Sequence, residues 1–165
     1  MTYTAGPQRY NFNCILLKDM SATMSAGNTI IASNSEDFAG NPQTTFNTST
    51  GVITLPNRPC TLTAGMQVYE KSGIYNNSYR YIEYQWYDVT NSAYIGNKAR
   101  VVGESISRYL ASVSEGFDES AIAIGQNIDV KLVLTALGNT TTPVIDGTGA
   151  QQNYAGRSRI LIYEF

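Results

Sequence analysis

Histidine is absent from this 165-residue chain. With it go the commonest acid–base group, the commonest metal ligand and the usual base of a nucleophilic triad. That argues against histidine–zinc enzymes and Ser-His-Asp hydrolases. Charge is sparse as well. Eleven Lys+Arg and 13 Asp+Glu make up 15% of the residues and leave a net charge of −2. Such a balance gives no electrostatic drive toward nucleic acid or an anionic membrane. No apolar run approaches the ~18 residues needed to cross a bilayer, so no membrane insertion is expected. The stretch from Met1 to Tyr10 has neither a basic start nor an apolar core and does not read as a signal peptide. Cysteine numbers two, Cys14 and Cys60, far apart in separate apolar contexts. Nothing signals an oxidising compartment, so they are expected as buried free thiols rather than a bridge. Sequons begin at Asn47, Asn76 and Asn139 and are expected by chance in a Thr/Asn-rich chain.

What the chain has is apolar residues at 42%, enough for a core in one domain spanning 1–165. They are arranged with period two. In Arg9 to Leu17, Tyr10, Phe12, Cys14 and Leu16 share one face. Met20 to Asn28 reads as a polar connection, Thr29 to Ala32 as a short strand, and Ser33 to Gln43 as a surface loop dense in turn formers. Thr44–Asn47 and Gly51–Leu55 flank Thr48-Ser-Thr50 as a hairpin. Cys60, Leu62, Ala64, Met66 and Val68 alternate over the longest run. Ile82, Tyr84 and Trp86 oppose Tyr81, Glu83, Gln85 and Tyr87. Ile128, Val130, Leu132 and Leu134 line one face of a later strand, while Val133 and Leu137 break the polarity of the other. Glu104 to Phe117 reads as a helical turn or an irregular strand. Gly138 to Gly156 reads as a long polar excursion. Arg157 to Phe165 closes the chain, and its centre, Ile160-Leu-Ile-Tyr163, is apolar on both faces, so it needs cover on both. About nine short strands with regular turns and no clear helix indicate an all-β sandwich or barrel.

Three stretches resemble the head domain shared by the complement component one q globular domain and the tumour necrosis factor superfamily. They are Phe46-Asn-Thr-Ser-Thr-Gly-Val-Ile-Thr-Leu-Pro56, the hairpin from Ala121 through Gly125-Gln-Asn127 to Val133, and the closing Ser158-Arg-Ile-Leu-Ile-Tyr-Glu-Phe165. In order, they cover most of the chain from about Thr29 onward. The resemblance implies a jelly-roll β-sandwich of two antiparallel sheets, three copies of which pack around an axis with the inner sheet buried. The polar Thr/Asn/Gly-rich texture is similar to that of tailed-bacteriophage virion proteins, which use such heads as fibre tips, head fibres and capsid decoration. On that basis the chain is expected in the virion as a non-enzymatic structural or attachment module. Its partners would be two further copies of itself and other virion proteins or a host cell-surface glycan. The alternatives are a complement-type or carbohydrate-binding head of a secreted protein and, less favoured, a small glycan-active enzyme.

Candidate residues follow from this reading. Leu161, Tyr163, Tyr81 and Tyr87 are expected at the trimer interface, because a small sandwich has one core and a second apolar face needs another chain. Within the set Tyr69, Tyr75, Tyr79, Tyr81, Tyr84, Tyr87, Tyr94 and Trp86, the loop residues Tyr75, Asn76, Asn77 and Tyr79 are the candidates for facing a ligand, since Tyr offers large contact area with a polar handle. Asn34, Glu36, Asp37 and Asn41 lack the spacing of a calcium loop and read as a solvated turn. Glu104, Glu115, Asp118 and Glu119 read as solvated carboxylates rather than a glycosidase pair. Gly147-Thr-Gly149 lacks the strand-to-helix setting of a phosphate loop. No catalytic residue, metal or cofactor is expected.

Overall fold

A computed structural model describes residues 12–22, 25–66, 68–70, 80–103, 120–124, 128–138, 143–145 and 158–165. Among them there is no helix. Twelve strands occur: β1 (Asn13–Ser21), β2 (Thr29–Ala39), β3 (Thr45–Phe46), β4 (Ile53–Thr54), β5 (Cys60–Gly65), β6 (Val68–Glu70), β7 (Arg80–Asp88), β8 (Ala93–Gly103), β9 (Ser120–Ile124), β10 (Asp129–Gly138), β11 (Pro143–Ile145) and β12 (Arg159–Glu164). Every pairing is antiparallel. The expected all-β class is met.

The strands form two main ladders. One runs β2-β1-β12-β5-β9; the other carries β3-β4 and then β10, β7 and β8. β2 joins them, since Thr29 and Ile30 pair with β10 while Ile31 to Ala39 pair with β1. A short ladder of β6 and β11 stands apart. The first and last of these strands, β1 and β12, are neighbours in the middle of the first ladder.

Period-two alternation explains which side chains meet. Ile15 and Leu17 pair with Ile162 and Ile160, and Leu62 and Ala64 lie beyond them. From the other ladder come Ile82, Tyr84, Trp86, Val130, Leu132 and Leu134. All are buried in one hydrophobic cluster that draws on both ladders. At ~25 cal/mol per Å² of apolar area, burial on this scale is the main favourable contribution to folding. Tyr84 satisfies its hydroxyl by donating to the Ala64 carbonyl across the core, at 3.1 Å.

Several sequence expectations need correction. Met20 is not in a connection: β1 runs to Ser21 and Met20 is buried. Asp19 has φ 57°, in the left-handed region. That twist breaks strict alternation, so both Leu17 and Met20 reach the core. Ser33 to Ala39 is strand, not loop. Its turn-forming residues are tolerated because β1 supplies the backbone partners, while Asn34 donates to the Asp19 carboxylate (3.1 Å) and Glu36 pairs with Lys18 (3.0 Å). Leu137 does not oppose the apolar face of β10. A bulge between Leu134 and Ala136 adds one residue, so Leu137 pairs with Ile82 and packs against the core. Glu104 to Phe117 lies outside the described residues.

The β3–β4 hairpin is closed by its own polar atoms. Asn47 Oδ1 accepts from the Ser49 and Thr50 amides at 2.9 and 3.0 Å, and the Gly51 amide donates to the Asn47 carbonyl at 2.8 Å. Gly51 has φ 71°, and a Cβ there would lie 2.6 Å from Thr29 Cγ2. Glycine meets both demands.

Glu164 is the one inward residue of β12 that is not apolar, and it is 1% exposed. Its Oε1 accepts from the Gln43 amide (2.8 Å), the Thr44 amide (2.7 Å) and the Thr44 hydroxyl (2.8 Å). Oε2 faces Arg58 Nη1 at 3.8 Å and has no hydrogen-bond partner among the described residues. A buried carboxylate is tolerated only with such donors. Here they fasten the segment before β3 to the last strand.

Candidate functional site

The two outward sheet faces differ in chemistry. On the first, strand pairing sets Cys14 beside Tyr163 and Leu16 beside Leu161. These residues alternate with the inward Ile15, Leu17, Ile160 and Ile162, so they project from the opposite side. Phe12 packs on Tyr163 with ring centroids 5.8 Å apart. Phe165 continues the alternation of Leu161 and Tyr163 and is 60% exposed. Phe38, the extra residue where the β1–β2 register shifts, is 65% exposed near the same end. An apolar strip therefore runs down β1 and β12, bordered by Thr61 and Thr63 on β5 and by the Lys18–Glu36 pair toward β2.

Both cysteines are free and buried, as expected. Cys14 is on β1 and Cys60 on β5, with β12 between them. Two strand spacings, about 10 Å, exceed the reach of a disulfide. Burial, aided by the Glu164 charge, raises both thiols, and Cys60 is pushed up to about 11 despite the opposing Arg58 charge. They are protonated and unreactive near neutral pH.

The second outward face belongs to β10, β7 and β8. Tyr87 is the centre of one row, with Lys131 and Tyr94 as its partners on either side. Tyr94 meets Tyr87 edge-on at 5.1 Å, and Lys131 Nζ lies 5.4 Å from the Tyr87 centroid. One row on, Gln85 donates to the Gly96 carbonyl at 2.8 Å where β8 bulges. Farther still, Arg100 donates to Glu83 Oε1 through Nε (2.8 Å) and Nη2, and its guanidinium lies 4.3 Å over the Tyr81 ring. Tyr81 also lies against Gly138, where a Cβ would run into its ring.

The four residues expected at a trimer interface thus divide. Leu161 and Tyr163 lie on the first face, Tyr81 and Tyr87 on the second, and the structure does not bring the pairs together within one protomer. Tyr75, Asn76, Asn77 and Tyr79 lie outside the described residues, as do Glu115, Asp118, Glu119 and Gly147-Thr-Gly149. Among the described residues no cluster of Cys, Asp and Glu is suited to hold a metal ion. Phe165 and Leu16 were absent from the expected interface. Leu16 was visible as part of the Phe12-Cys14-Leu16 face, but nothing in one strand tells which face meets the core. Phe165 was visible two residues beyond Tyr163.

Compared with models of known protein families the chain matches none, and no curated protein matches it.

Proposed function

We propose that the chain is a non-enzymatic virion structural or attachment module, a jelly-roll head that assembles as a homotrimer through the outward face of β1 and β12. The observation that supports it is the strand order. β2-β1-β12-β5-β9 shares one hydrophobic core with β3-β4-β10-β7-β8, and the first and last strands pair centrally. That order agrees with the two-sheet head implied by the three resembling stretches. The apolar strip of Phe12, Leu16, Leu161, Tyr163 and Phe165 lies on the sheet that the resemblance would bury between copies. The virion assignment draws on the Thr/Asn/Gly-rich composition, and its partners are other virion proteins or a host-surface glycan. Threefold repetition multiplies weak single-site binding by raising effective concentration.

The test is mass in solution. The wild type is expected at three times 18.0 kDa at micromolar concentration. Leu161→Asp is expected to keep its circular dichroism and cooperative unfolding but to run as a monomer, because a charge on this strip would have no partner in the assembly. A monomeric wild type, or a Leu161→Asp variant that stays trimeric, overturns the assembly. Absence of the protein from purified particles made from its own genome overturns the virion assignment. Release of reducing ends from bacterial envelope polysaccharide overturns the non-enzymatic reading.

A further inference from the structure

We infer that the outward face of β10, β7 and β8 is a binding surface for an acidic polysaccharide, with a pyranose ring resting on Tyr94 and its carboxylate on Lys131. The inference deepens the attachment half of the proposed function. It uses a different face from the assembly strip, so the two can fail separately.

The row Lys131–Tyr87–Tyr94 spans three strands, about 10 Å, which matches one to two sugar rings. Tyr94 is 51% exposed, yet it is held in a T-shaped pair with Tyr87, ring centroids 5.1 Å apart. An exposed aromatic fixed by a second ring presents area with little rotamer freedom left to lose on binding. Pyranose rings carry an apolar C–H face and a polar rim, so an aromatic face edged by polar groups complements them.

Charge selects the acidic kind. Lys98, Arg100 and Lys131 lie along this ladder against Glu83, Asp129 and Asp88, the last buried and accepting from the Asn91 side chain at 2.7 Å. Glu83 is taken up by Arg100, and Asp129 Oδ1 accepts from the Thr54 hydroxyl at 2.6 Å. Lys131 lies against the Tyr87 ring, and neither it nor exposed Lys98 has a carboxylate ion-pair partner among the described residues. In a chain of net charge −2, an unneutralised lysine in the same cross-strand row as an exposed aromatic makes a local attraction for anions.

The test is affinity electrophoresis through gels containing polygalacturonate, with dextran as a neutral sugar and polyglutamate as a ringless polyanion. The wild type is expected to be retarded by polygalacturonate alone, less so at high salt. Tyr94→Ala and Lys131→Gln should each raise Kd by about tenfold, which corresponds to ~1.4 kcal/mol. Both should keep the wild-type mass and unfolding midpoint. No retardation of the wild type, equal retardation by polyglutamate, or unchanged binding by both variants overturns the inference. A monomer that binds polygalacturonate would overturn the trimer and leave this surface standing.

Discussion

Replacing Glu164 tests how the end of the sandwich is held. In Glu164→Ala the Thr44 amide and hydroxyl, both buried, and the part-buried Gln43 amide lose their common acceptor. An orphaned buried donor costs about 1–3 kcal/mol. Part of that is offset, because the carboxylate no longer has to be desolvated. Arg58 is partly exposed and can turn to water, so its loss adds little. The expected net cost is about 3–5 kcal/mol, a large share of the stability of an ordinary domain. Glu164→Gln keeps an acceptor oxygen and the shape while losing the charge, so it should cost about 1–2 kcal/mol. Urea unfolding followed through the fluorescence of Trp86, the only tryptophan and a buried one, measures both. Thr44→Val completes a double-mutant cycle, in which Glu164 and Thr44 should couple by about 1 kcal/mol or more. An alanine variant within about 0.5 kcal/mol of wild type, or zero coupling, would refute the reasoning.

Further outcomes follow from the same geometry. Gly51→Ala should destabilise by about 1–3 kcal/mol in thermal unfolding, since φ 71° and the 2.6 Å approach to Thr29 Cγ2 both oppose a side chain; a neutral result would mean that the hairpin relaxes freely. Cys14 and Cys60 should resist a thiol reagent at pH 8 and react at once in urea. The folded state holds the Cys60 proton more tightly than the unfolded chain does. The stabilisation is thus complete below the ordinary value of 9.0 and is lost as pH rises from there toward about 11. Asp88 works with the opposite sign. Hydrogen bonds from Asn91 lower its pKa, so its contribution is present above the ordinary 3.8 and fades as pH falls below it. Asp88→Ala should abolish that acid-side slope and cost about 1 kcal/mol in urea unfolding at neutral pH.

Much of the fold is legible in period-two alternation. Ile82, Tyr84 and Trp86 on β7, and Val130, Leu132 and Leu134 on β10, point inward as their spacing indicates. Alternation fails where a backbone irregularity adds or twists a residue, as at Thr135 for Leu137 and at Asp19 for Met20. A bulge leaves no mark in composition. β2 was misread for another reason. The later part of β2, paired with β1 alone and wet on one side, can be built from Ser, Asn, Glu and Asp, the same residues that make turns. Glu164 was hidden because its burial depends on Gln43 and Thr44, far away in the chain. The apolar strip on β1 and β12 was half legible. Leu161 and Tyr163 stand out because their strand is apolar on both faces. Tyr81 and Tyr87 carry the same signal, but they lie on the other sheet, where Arg100 covers Tyr81 and Lys131 flanks Tyr87.

The central pairing of β1 with β12 bears on synthesis. Asn13 to Leu17 wait for Ile160 to Glu164 before that sheet closes, and until then β1 and β5 have an empty lane between them. A growing chain therefore leaves Ile15 and Leu62 without their β12 neighbours until Ile160 to Glu164 have been made. Closing that sheet is therefore a slow step dominated by distant contacts.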